Sequence, residues 1–142
     1  MRRGAVLTAL ALLLTGCLTS HRSVATDVDP EEWAAAAEIV IPNADTLAHC
    51  DLSFYLRFDE RFRDDTLTLR IEVRTPDSLR FEETFLFCAA HPRRPAAVRS
   101  EAAAAYRRRA TFARSGDYRF LVTPVRPVAG VEAVGLHIVE SE

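Results

Sequence analysis

Three cysteines and four histidines are the residues of this 142-residue chain whose types suit nucleophilic, redox or metal chemistry. His49-Cys50 and Cys88-Ala89-Ala90-His91 together offer two thiols and two imidazoles, and four N/S ligands would suit tetrahedral zinc. The first pair argues against it, because neighbours in an extended strand point their side chains to opposite faces. No metal and no cofactor are therefore expected. His21 and His137 lie in a polar segment and in an alternating run, and neither is assigned chemistry. There is no nucleophile motif, glycine-rich phosphate loop or dinucleotide fingerprint, and five glycines could not supply one. The expectation is a protein that is not an enzyme.

Cys17 stands apart from the other thiols. The chain opens Met1-Arg2-Arg3-Gly4 and runs from Ala5 to Leu14 with only Thr8 interrupting the hydrocarbon. A positive start and a short apolar core are the marks of a secretory signal peptide, since a bilayer span needs about 20 apolar residues. Leu14-Thr15-Gly16-Cys17 then resembles a bacterial lipobox: an aliphatic residue, two small ones and a cysteine. That resemblance implies cleavage before Cys17 and acyl chains on it. Two or more chains make a stable membrane anchor where one is marginal. Residues 1–16 are read as a cleaved leader, 17–29 as a lipidated tether and 30–142 as one folded domain. In an exported domain Cys50 and Cys88 permit a disulfide. Two free buried thiols are the alternative.

The elements that must hold these residues follow from periodicity. Asp29-Pro30-Glu31-Glu32-Trp33 carries an N-cap, a first-position proline and an acid three residues on, predicting a turn or two of helix. After it the period is two. Glu38–Pro42 is short and β-branched. Leu52, Phe54, Leu56 and Phe58 share one face, as do Leu67, Leu69, Ile71 and Val73. Leu79–Cys88 returns after a turn at Thr75-Pro76-Asp77-Ser78, with Glu83 on its apolar side, so burial should begin at Phe85. Residues 89–105 have no period and read as a surface excursion, with a short helix starting at Ser100. Tyr118–Val122 and Val131–Val139 are the last strands. Strands at this spacing predict an all-β protein, a single antiparallel β-sandwich of immunoglobulin-like or jelly-roll-like type.

Charge narrows the partners. Eighteen basic residues, all arginine, meet twenty acidic ones, and loss of Arg2 and Arg3 with the leader moves the net charge from −2 to −4. Such a balance disfavours nucleic acid or an anionic membrane surface as a partner. Arg93-Arg94 and Arg107-Arg108-Arg109 read as solvated charge rather than a phosphate site. Trp33, the single tryptophan, reads as a plug for one end of the sandwich rather than a ligand platform.

The segment "SGDYRFLVTPVRPVAGVEAVGLHIVE", residues 115–140, resembles the end of the gliding-motility lipoprotein GldH family of Bacteroidota. Gly116, Tyr118, Phe120, Val125-Arg126, Gly130-Val131 and Val134-Gly135-Leu136 occupy the pattern's positions, with Val125 where the family has methionine. Trp33, Asp45-Thr46 and Leu56-Arg57 agree as well; residues 89–110 lack the family's glycine- and tryptophan-containing segment. The resemblance implies a non-catalytic outer-membrane lipoprotein, held by acyl chains on Cys17. It also implies an accessory role in gliding motility and the associated type IX secretion machinery, with other envelope lipoproteins or motility and secretion proteins as partners. In that phylum surface export goes with acidic residues just after the lipidated cysteine. Leu18-Thr19-Ser20-His21-Arg22 has none, which favours the periplasmic side. The rival expectation is an envelope or surface lipoprotein that captures a glycan or peptide on its sandwich. As structural positions Gly130 is expected to need a positive φ in a turn and Gly135 to mark a bulge or a close backbone approach.

Overall fold

Each alternating run becomes a strand, because one face of every such run can be buried while the other stays wet. The computed structural model describes residues 20–89 and 99–141. Its strands are β1 (His21–Asp27), β2 (Ala37–Asn43), β3 (His49–Phe58), β4 (Thr66–Arg74), β5 (Arg80–Cys88), β6 (Ser100–Thr111), β7 (Gly116–Pro124) and β8 (Val131–Ser141). Among the described residues there is no helix.

The pairing is nested. β1 pairs with β8, β2 with β7, β3 with β6 and β4 with β5, all antiparallel. Two further pairings, β3 with β8 and β4 with β7, complete the sheets β1-β8-β3-β6 and β2-β7-β4-β5. A ribbon of β1–β4 laid against β5–β8 and rolled over on itself gives this order, which is the jelly roll rather than the immunoglobulin arrangement. Ile39, Phe54, Leu56, Leu69, Ile71 and Val122 are fully buried between the sheets. β5 enters this core late, as Glu83 implied: Phe81 is 57% exposed and Phe87 fully buried.

Three sequence expectations are corrected. The Asp29 start signal caps a turn, not a helix: Asp29 Oδ1 accepts from Glu31 N at 2.9 Å. The chain is then drawn into an isolated bridge in which Trp33 and Val128 exchange both backbone hydrogen bonds, so no helical ladder can form. Second, Ser100 begins no helix. It opens a 12-residue strand paired along β3, and the helix preference of Ala102–Ala105 yields to that pairing. Ala89 and Ser100–Ala105 thus leave the predicted excursion, Arg99 stays in it as an exposed bend paired with Glu132 at 3.0 Å, and residues 90–98 lie outside the described residues. Third, the folded domain begins before residue 30, because His21–Asp27 is strand β1 and pairs with β8. β1 borders its sheet with one neighbour and buries no side chain fully; only Val24 and Thr26 on its inner face are half-buried, so its apolar alternation is weak. The leader and Cys17 lie outside the described residues.

Candidate functional site

The thiols and imidazoles come first, since they could do chemistry. Cys50 and Cys88 are both free, Cys50 buried and Cys88 exposed, which overturns the disulfide. The topology explains it. Cys50 is one residue from the start of β3, whereas Cys88 faces Thr66 across the β4–β5 ladder, beyond the connection that leaves Phe58. Eight residues of β3 separate those two ends, about 26 Å at the usual strand rise. Burial pushes the Cys50 thiol up, away from the thiolate that nucleophilic chemistry needs. His49 is exposed on the face opposite Cys50, with Nδ1 2.8 Å from Thr111 Oγ1, and His91 lies outside the described residues. No three His, Cys, Asp or Glu side chains among the described residues are grouped to hold a metal ion.

What the sandwich does build is a cleft at the edge where β5 and β6 end their sheets. A cavity of about 580 Å³ opens there, with Leu52, Val73, Phe81, Phe112, Tyr118 and Phe120 as its apolar walls. A second hollow of about 370 Å³ continues it along β5, past Glu83, Tyr106 and Arg107. Leu79 and Phe81 are 52% and 57% exposed at the mouth.

Two irregularities in β6 shape this cleft. The β3–β6 register shifts between Cys50 and Leu52 and again between Leu52 and Ser53. Leu52 faces Arg107 and Ser53 faces Ala105, so Tyr106 is the extra residue of a bulge. The bulge turns two successive side chains, Tyr106 and Arg107, toward the cleft. Asp51 Oδ1 accepts from Arg109 N at 2.8 Å and holds the second irregularity, where Arg109 takes a φ of 50°.

The Tyr106 ring packs 4.8 Å from Phe54 and 5.5 Å, edge-on, from Phe85. Its hydroxyl donates to Glu83 Oε1, and Arg107 Nη2 donates to Glu83 Oε2 at 2.6 Å. The Arg107 guanidinium also lies 4.4 Å from the Tyr106 ring centre, a cation–π contact. The Arg107 hydrogen bond holds the Glu83 carboxyl below its ordinary range, against the effect of burial. Burial, then the Glu83 hydrogen bond, pushes the Tyr106 phenol up. The group is thus a neutral phenol and a closed ion pair across the mouth of an apolar hollow. It can hold apolar side chains and offer hydrogen bonds; it presents no activated nucleophile.

The resemblance residues have clear structural duties. Gly116 has φ +122°, and a Cβ there would stand 2.9 Å from Pro76 Cβ. The Tyr118 ring meets Phe112 edge-on at 4.7 Å, and its hydroxyl accepts from Arg114 N at 2.9 Å. Together they fix the β6–β7 connection beside the cleft. Gly130 does need its positive φ, +86°, and a Cβ would come within 2.3 Å of Phe62 N. Gly135 marks a close approach, of a side chain rather than of backbone: the Tyr55 ring lies over it, 2.2 Å from where a Cβ would be. That ring stacks on His137 at 4.1 Å, a contact that periodicity could not show. Trp33, 2% exposed, plugs the end of the sandwich as expected and donates Nε1–H to Ala35 O at 2.9 Å. Arg126 pairs with Asp64 at 2.9 Å, and Arg57 is exposed on the outer face of β3 opposite Glu101.

Sequence reasoning missed the cleft. The one signal was Glu83 at an apolar register position with the arginine run of residues 107–109 later in the chain. Arg93 and Arg94 lie outside the described residues. No protein-family model matches the chain, and no curated protein matches it.

Proposed function

We propose that this chain is a non-catalytic lipoprotein, anchored in the outer membrane by acyl chains on Cys17 with its domain on the periplasmic side. In this reading it is an accessory component of the gliding-motility and type IX secretion-associated machinery, and it docks another envelope protein in the β5–β6 cleft. The observation that carries the docking is the position of Tyr118 and Phe120. These two residues of the most specific part of the family pattern line the cleft. The exposed Leu79 and Phe81 supply apolar area at its mouth, of the kind that anchors protein interfaces. Cross-linked pull-down from native membranes, wild type against Phe81→Asp, is the test. Motility or secretion components should be recovered with wild type and lost with the variant. Recovery of bulk porins alone overturns the reading.

The rival, capture of a peptide, draws on a different observation: β5 and β6 both end their sheets, so each leaves an edge to which an extended strand could add. Protease shaving of intact cells separates the two. Loss of the domain places it at the cell surface and favours capture; survival favours the periplasmic role.

A further inference from the structure

One end of the sandwich is set apart by three features. β1 begins there at His21, β8 finishes there at Ser141, and the β2–β3 connection, residues 44–48, crosses between the sheets there. Leu47 stands on that connection with 84% of its surface exposed. It is held in that position: Asp45 Oδ1 accepts from Leu47 N at 2.9 Å and from Ala48 N at 3.1 Å. Leu79, 52% exposed on the β4–β5 turn, stands at the same end of the sandwich.

We infer that this end of the sandwich lies directly on the bilayer, with Leu47 inserted among the lipid headgroups and upper acyl chains. The inference rests on the proposed acylation of Cys17. Three peptide units separate Cys17 from Ser20, so the lipidated residue stands within about 11 Å of the domain's first described residue. A chain that short keeps the β1 end close to the membrane surface. Ion pairs mark both ends, with Arg114 on Asp77 at 3.3 Å at the Leu47 end. At the far end Arg61 bridges Glu31 and Asp59 at 2.6 and 2.8 Å, and Arg126 pairs with Asp64 at 2.9 Å. The mouth of the cleft, with Leu79 on the β4–β5 turn, belongs to the Leu47 end. A partner in the cleft would thus dock close to the membrane plane.

Tryptophan fluorescence reads the orientation. The chain's only tryptophan, Trp33, is buried at the far end, so a second one reports on its own site. Full-length Leu47→Trp and Val125→Trp proteins, purified from membranes, would be reconstituted in phosphatidylethanolamine–phosphatidylcholine vesicles with brominated acyl chains. Val125 is 52% exposed at the far end. Bromolipid should quench the added emission of Leu47→Trp at least two-fold more than that of Val125→Trp. Co-flotation with the vesicles and the mass of the Cys17 peptide are read on the same samples. Acylated, floating protein with equal quenching at both sites overturns the orientation and leaves the anchor standing. Unacylated protein that does not float overturns the anchor, and the orientation falls with it.

Discussion

The two open sides of the sandwich are closed in different ways. At the β1–β2 edge, side chains of one sheet reach backbone carbonyls of the other: Thr26 Oγ1 donates to Glu38 O, and Arg22 Nη1 donates to Pro42 O at 2.9 Å. Val24 and Val28 pack against the core beneath them. At the β5–β6 edge no such stitch is found among the described residues; the sheets meet through the Glu83–Tyr106–Arg107 group and the Tyr106–Phe85 ring contact. The bulge in β6 sets two bulky side chains where a regular strand would set one, and both reach across to Glu83 on β5. The difference teaches that the cleft is a construction of the sheet's register, not a gap left by poor packing.

The strongest way to break the comparison is from the closed side. Ile39 on β2 is fully buried, and Ile39→Ala should destabilise by about 2–5 kcal/mol, the range for such core truncations. Thermal melts measure it, and an unchanged midpoint would mean that the edge is looser than described. Thr26→Val removes one stitch and should lower stability by about 1 kcal/mol, measured by urea unfolding.

Acid should loosen the open side by a smaller amount. The Glu83 carboxyl titrates below its ordinary value of 4.5, so its contribution is present above that pH and lost as the pH falls through the lowered value. Glu83→Gln should therefore show a shallower loss of stability below pH 4.5 than the parent, with the effect small because the pair is partly solvated. Equal slopes would show that the Arg107 contact does not hold the edge. The smallest effect on stability sharpens the contrast most. Phe81→Ser should melt within about 0.5 kcal/mol of wild type yet lose the partner in the pull-down, since Phe81 serves the mouth and not the core.

Most of the strand content was legible in the sequence. The runs at residues 52–58, 67–73 and 118–122 alternate because each strand has one buried face, and that need is written locally. β1 and β6 were not legible for the same reason reversed. β1 lies at an edge with little burial to pattern it, and the alanines of β6 carry a helical preference that pairing with β3 overrides. Gly130 could be recognised as special, because positive φ favours glycine wherever it occurs, whereas the positive φ of Gly116 appeared only in the structure. That Gly135 leaves room for the ring of Tyr55, and that Tyr55 then stacks on His137, needed the β3–β8 register.

The sequence by itself determined an all-β chain with a sandwich core, a tryptophan plug and a glycine-dependent turn at Gly130, since these follow from periodicity and backbone sterics within a few residues. Only the tertiary structure decided the rest. It chose the jelly-roll order over the immunoglobulin one, parted Cys50 from Cys88 by the length of β3, and brought Glu83 to Arg107. Each of these is a pairing between residues far apart in the chain. Such pairings are set by register and sheet order, and a one-residue bulge in β6 is enough to change which side chains meet.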